Sequence, residues 1–294
     1  MAYIKRESPY VQDLPILFNK DGAQYPRSVV VNGVDVASAA DGTKVIPAGS
    51  FVVQLGNGAA ARFLARSTVT VAFTTAGAIG TVAMPYNTFK VGDSVSLVEP
   101  YGVITIGGTF LATERVKVTI AGYAVTPVVG STVNSVIAST VAAAINNDPS
   151  INQLVRAIAT GSVVYLYGKD GITAHTVTTA ARNAADSLAS AAGTSTANSA
   201  TLTVSNTPLG TILSVSTAGV ITFTANAGVD APVGARIGVR FSRLLGVFEH
   251  GIDFNTLPSK DIAPCLGCDT GIYTVNLPYV DEDIRRRLPR FVFY

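Results

Sequence analysis

Tryptophan is absent from the 294 residues, and cysteine, histidine and methionine occur only twice each. Without tryptophan the chain lacks the usual aromatic platform of a carbohydrate-binding module. Charged residues make up 14%, against an ordinary share of about 25%. At a formal net charge of +2, no concentrated basic face offers itself to nucleic acid. No apolar run reaches the roughly 18 residues of a membrane-spanning helix. The opening MAYIKRESPYVQDLP lacks the apolar centre of a secretory signal. The expectation is a soluble protein made in the cytoplasm, with neither nucleic acid nor membrane as a partner.

Chemistry-bearing residues are equally sparse. Cys265-Leu266-Gly267-Cys268 is the single CxxC, and a zinc site needs four ligands. His250 and a carboxylate such as Asp253 complete a set only in principle, and Pro264 followed by GCDTGIY reads as a turn into a strand. A redox pair would instead open a helix in a βαβ setting. The two cysteines are therefore read as plain thiols in a reducing compartment. His175 sits in a Thr-rich stretch and His250 at a hairpin tip, neither beside a nucleophile that it could activate. Asp281 and Asp283 read as solvated carboxylates at the start of a short helix that Arg285, Arg286 and Arg287 would close. No GxSxG, P-loop or HExxH occurs. No enzyme, no cofactor and no metal are expected.

What is present is alanine, valine, threonine, serine and glycine, which suit pleated sheets and tight turns. One amphipathic helix stands out, Thr132 to Asn147. Val133, Val136, Ile137, Val141, Ala144 and Ile145 recur on one face, and Asn146-Asn147-Asp148-Pro149 ends it. Strand pairs flank it: VKVTIAGYAVTPVVG turns at Ala121-Gly122, and LVRAIAT with VVYLYGK turns at Gly161-Ser162. This is a ββαββ module, assigned to 112–206. Its 172–200 stretch reads as a short helix (Ala180 to Ala189) followed by a flexible Ser/Thr/Ala loop.

On either side lie pieces of one β domain, 41–111 and 207–294. TILSV and VITFT pair across Thr217-Ala218-Gly219, and Pro232-Val233-Gly234-Ala235 echoes Lys90-Val91-Gly92-Asp93. The fold class is thus mainly β, a small β-barrel or sandwich with an inserted α+β module and an extended N-terminal arm. The arm is assigned to residues 1–40. Pro9, Pro15 and Pro26 interrupt any helix there, although SVVVNGVDVA, from Ser28, has the pattern of a hairpin on Asn32-Gly33. Its scattered apolar residues bury little by themselves. Tyr3, Ile4, Tyr10, Val11, Leu14, Ile16 and Phe18 are the residues expected to lie against a neighbouring chain.

Several segments carry a resemblance. DGTKVIPAGSFVVQLGNG, at 41–58, resembles the opening strand and turn of tailed-bacteriophage head decoration (cement) proteins. FKVGDSVSLVEP and TILSVSTAGVITFTANAGVDAPVGARI are similar to the β-barrel repeats of such virion proteins. GVFEHGIDF and IYTVNLPYVDEDIRRRLPRF resemble their C-terminal strands. The 112–206 module is similar to those that decorate phage tail sheath and other virion surface proteins. The resemblance implies a structural protein on the outer surface of a phage capsid, bound to the major capsid protein and bridging its neighbouring subunits. It also implies self-association, as a trimer at local three-fold axes. A tail component and a surface carbohydrate-binding module remain as alternatives.

Overall fold

The computed structural model describes residues 23–24, 29–32, 42, 44–46, 50–56, 61–83, 89–169, 175–197, 201–202, 208–247, 252–253, 259–262, 266–267, 270–272, 284 and 291–293. The chain is mainly β and divides into two compact units, Met1–Val98 with Thr207–Tyr294, and Glu99–Asn206.

The first unit is built on a closed six-stranded barrel. Two three-strand sets form it: Arg66–Val71, Ile79–Val82 and Ser94–Leu97, then Pro208–Val215, Val220–Phe223 and Arg236–Val239. The sets interleave. Each hairpin pairs with the other set's last strand, Arg66–Val71 with Arg236–Val239 and Pro208–Val215 with Ser94–Leu97. The two last strands also pair with each other, Ile237 opposite Leu97.

The echo between the two Val-Gly turns has a structural basis. Gly92 and Gly234 take φ of 86° and 88°, the left-handed third position of a type II turn, where a side chain would be strained. Asp93 N–H donates to Lys90 O at 3.1 Å, and Ala235 N–H to Pro232 O at 3.0 Å. Gly92 N–H then donates to Ile212 O, and Gly234 N–H to Val69 O. The barrel therefore has an internal pseudo-two-fold relation. Its interior is filled by Val69, Val82, Val95, Leu97, Ile212, Ile221 and Ile237, with the Phe73 and Phe223 rings 4.9 Å apart.

Beside the barrel, a five-stranded sheet includes Phe51–Gln54, Ala61–Phe63 and Arg243–Val247. Val29–Asn32 joins it, antiparallel to Ser259–Ile262 and parallel at Ala61, and Ala23–Gln24 pairs with Leu266–Gly267. Ala23–Gln24 and Val29–Asn32 are therefore sheet strands, and the arm assigned to 1–40 does not extend through them. The β-branched run VVV favours that pairing over an extended tail.

Among its described residues the second unit holds eight strands where the ββαββ reading has four. One sheet orders Tyr123–Val125, Arg115–Ile120, His175–Arg182 and Thr201–Leu202; the other orders Val155–Thr160, Val163–Gly168, Tyr101–Gly108 and Gly193–Ala197. Tyr101–Gly108 belongs here, paired with Val163–Gly168 and Gly193–Ala197, and not to the barrel. Gly102, Ile104 and Ile106 alternate into this unit's interior. The expected helix at 180–189 and the loop after it are instead the strand His175–Arg182, a turn, and the strand Gly193–Ala197. Pairing along the whole of Arg115–Ile120 overrides the alanine-rich local preference for helix. Both hairpin turns are as the sequence indicates, Ala121 and Gly122 taking φ of 51° and 89°, the left-handed pair of a type I′ loop, and Gly161 alone being left-handed in the other, at 58°.

The helix spans Asn134–Asn147 and buries Ile137, Ala138, Val141, Ala142 and Ile145. Val133 and Val136, expected on that face, are exposed. Ala138 and Ala142 take the buried places because their small side chains admit close approach of helix to sheet. Near its end, Asn146 makes two hydrogen bonds with Ala157, accepting from its N–H and donating to its carbonyl, each at 2.8 Å. Ala157 lies on the edge strand Val155–Thr160, so this amide occupies the position that an added strand would use.

The second unit begins and ends where the barrel closes, since Ser96 and Pro208 are direct partners. Replacing residues 99–206 by a short Gly-Ser linker should leave the barrel folded, because such insertions join at points where the host's ends lie close. A cooperative melt of the shortened protein is the measurement; insoluble expression or a non-cooperative melt would show that the unit belongs to the barrel's core.

Candidate functional site

Tyr3, Ile4, Tyr10, Val11, Leu14, Ile16 and Phe18 lie outside the described residues, as do Cys265, Cys268, His250, Asp281 and Asp283. Asp253 is placed by its backbone, opposite Val45. Among the described residues no three His, Cys, Asp or Glu side chains gather as a metal site, and no helix is long and apolar enough to cross a membrane.

His175 is the one sequence candidate whose side chain can be placed. It opens the strand His175–Arg182, faces inward with Val177, and is 3% exposed. Its Nε2 has no hydrogen-bond partner. An unmatched buried polar atom destabilises, whereas an apolar group of similar size need not. His175→Leu should therefore raise the unit's stability by about 1 kcal/mol, read as a higher melting temperature; a lower one would mean that the imidazole has a role which Leu cannot supply.

Much of the charge in the described residues is engaged in internal contacts. Arg62 and Asp93, both nearly fully buried, form a two-pronged ion pair at 2.7 and 2.9 Å, and Asp93 also accepts from Lys90 N–H. Arg66 donates to Val239 O and lies 5.5 Å from the Phe241 ring centre. Arg156 pairs with Glu99 and sits 4.2 Å above the Tyr167 ring. Burial pushes the Tyr167 phenol up, with the Arg156 charge opposing, so this hydroxyl stays protonated.

Among the described residues three surfaces stand out. The first is the barrel's outer wall. Val71, Thr81 and Val220 form one cross-strand row, with Ile79, Thr222 and Ser214 in the next. Val71 and Ile79 are 56% and 61% exposed, and the six carry no charge.

The second is the sheet face bearing Tyr165 and Tyr167, two apart on one strand, with Tyr101 opposite Tyr167 on the next. Tyr101 and Tyr165 are half-buried, their rings 6.5 Å apart and tilted by 55°, and Tyr167 is fully buried. These rings do not make a flat stacking platform.

The third is a loop cluster at one end of the second unit, formed by 108–114, 126–133 and 183–192. Glu114 accepts from Leu111 N–H at 2.8 Å, and Arg115 donates to Ala184 O and Thr126 O. Gly130 N–H reaches Ala112 O, and Thr109 N–H reaches Ala192 O. The Leu111 amide, followed by the Ser190 hydroxyl, holds the Glu114 carboxyl below the usual carboxylate range, with burial opposing.

A depressed folded value gives stabilisation that is present above the unfolded pKa and is lost as pH falls through the folded one. Acidification below the ordinary carboxylate range should therefore loosen this loop end, and Glu114→Gln should remove the dependence. The protection factor of the Leu111 amide, exchange relative to its intrinsic rate at each pH, reads it; protection that does not fall on acidification in the parent protein would contradict the assignment.

No family model and no curated protein matches the chain. Among solved structures, a chain titled "Mycobacterium phage Patience" is similar at 15% identity and a TM-score of 0.25, over 81% of this chain and 95% of that one. It is a weak structural neighbour from a mycobacteriophage.

Proposed function

We propose that this is a structural virion protein that binds the outer surface of a phage capsid and stabilises the head by bridging neighbouring major capsid subunits. The observation that carries the reading is the uncharged row of β-branched side chains across three barrel strands, exposed Val71 and Val220 flanking half-buried Thr81, with exposed Ile79 beside them. A closed barrel has no open edge to pair with, so its wall can adhere only through side chains. Such a contact is modest singly and strong when repeated over a symmetric lattice. The resemblance of 41–58 and of the two barrel segments to decoration proteins supports the same reading, and so does an N-terminal segment rich in tyrosine and proline.

In this proposal Tyr3, Ile4, Tyr10, Val11, Leu14, Ile16 and Phe18 anchor the protein to the capsid, and copies associate as a trimer at local three-fold axes. The test is cosedimentation with DNA-filled heads that lack the protein, alongside detached tails. Deleting residues 1–22 stops short of the first sheet strand, so the variant should fold and lose head binding. Val71→Asp with Ile79→Asp should weaken it further. Undiminished head binding by both variants, or sedimentation with tails alone, would overturn the proposal; the latter would favour a tail component.

A further inference from the structure

Among the described residues the strand Val155–Thr160 lies at the edge of its sheet, with Val163–Gly168 as its one neighbour. The two-residue loop Gly161-Ser162 makes Thr160 and Val163 a hydrogen-bonded pair. Arg156, Ile158 and Thr160 therefore direct their peptide groups to that neighbour, and Val155, Ala157 and Ala159 turn theirs outward. The outward groups are where a further strand would add.

Such an edge is ordinarily blunted by a bulge, a proline, a lysine or another charge. Val155–Thr160 has none of these at its disposal. It pairs with Val163–Gly168 over six residues without a register shift, and its sequence, VRAIAT, holds neither proline nor lysine. Its one charge, Arg156, is ion-paired to Glu99 and sits over the Tyr167 ring. Behind it stands VVYLYG, an uncharged, proline-free run of the kind that stacks into extended sheets.

What meets the edge instead is the helix Asn134–Asn147, through one side chain. Asn146 Oδ1 accepts from Ala157 N–H and Asn146 Nδ2 donates to Ala157 O, each at 2.8 Å. These are the two bonds that a directly opposed residue makes in a hydrogen-bonded antiparallel pair. One position earlier on the same side, Val155 N–H is taken by Ile151 O. A two-fold axis through Ala157 would give the bonds of Asn146 to Ala157 of a second copy, because an antiparallel edge is complementary to itself. Alanine at 146 would suit the helix better, asparagine being the weaker helix former. The amide holds the edge at some cost in helical preference.

We propose that Asn146 is an edge guard: its amide closes Val155–Thr160 against strand addition, and the partner it excludes is the same strand of a second copy. The proposal is independent of capsid binding and of the parent protein's own association state.

The experiment is sedimentation equilibrium of the full chain over a range of concentrations, with thermal melts recorded in parallel. Asn146→Ala should keep a cooperative melt and associate further, reaching twice the parental mass at high concentration. Ala159→Pro in the same chain should restore the parental mass. Ala159 N–H faces outward, so proline there removes a donor from the edge and no bond from the sheet. Proline does not replace the two bonds lost with Asn146, so this rescue separates pairing at the edge from aggregation of an unfolded unit. Asn146→Asp still accepts from Ala157 N–H but cannot donate to its carbonyl. It should associate more than the parent and less than Asn146→Ala, and it serves by itself if the alanine variant fails to fold. Parental mass in both variants, or association that persists with Ala159→Pro, would overturn the proposal.

Discussion

Ile137→Asp should unfold the Glu99–Asn206 unit while the barrel survives. Ile137 is fully buried, in a cluster with Ile104, Val118, Val141, Val155 and Val164. These come from the helix and both sheets, so no single element can move aside to hydrate a carboxylate. An unpaired charge there should cost about 5 kcal/mol or more, comparable to the whole stability of many domains. Ile137→Val, which removes one methylene, should cost about 1 kcal/mol. Limited proteolysis would show cutting confined to 99–206, and the melt would keep one transition for the barrel. Loss of both transitions would mean that the units do not fold separately; an unchanged melt would mean that the helix is not part of the core.

The second large effect is expected at Arg62. Its strand, Ala61–Phe63, lies in the five-stranded sheet, and Asp93 ends the turn that leads into the barrel strand Ser94–Leu97. Their ion pair fastens sheet to barrel. Arg62→Ala leaves a buried carboxylate facing only part of its former partners, which typically destabilises by 3–5 kcal/mol, roughly. Arg62→Met combined with Asp93→Leu removes both charges at similar volume and should recover most of that loss. Denaturant titration of the three variants decides it. If the double variant were no better than Arg62→Ala, the pair's worth would lie in its geometry and not in the stranded charge.

Short-range features were legible in the sequence because their physics is local. Ala121-Gly122, Gly161-Ser162 and Thr217-Ala218-Gly219 announce hairpins, and the two Val-Gly turns announce the barrel's internal likeness. Partner choice was not legible. YGVITIGG continues the barrel segment without a break, and nothing in its alternation says that it pairs with VVYLYG and GTSTA. The stretch TTAARNAADSLASAAG reads as helix by composition, yet ladder bonds to Arg115–Ile120 decide otherwise. The helix itself was found, but its face was misjudged, because alanine at 138 and 142 contributes little to an apolar pattern and much to close packing. Arg62 and Asp93 are 31 positions apart, and no local pattern links them. Of the site residues, those of the N-terminal segment lie outside the described residues. The exposed barrel row depends on which strands adjoin, which the sequence does not state.

The interleaving of the two strand sets has a kinetic consequence. During synthesis the first set, ending at Leu97, can form its hairpin but not its barrel, since Arg66–Val71 and Ser94–Leu97 both await strands from the second set. More than a hundred residues must be made before those partners exist, and closing so long a loop as a flexible chain is slow. The intervening unit changes the arithmetic. Once folded, it holds its own two ends near the spot where Ser96 meets Pro208, so the search becomes that of a short loop. The insertion thus acts as a splint for the barrel. A flexible replacement of equal length should slow refolding while leaving the barrel's unfolding rate nearly unchanged.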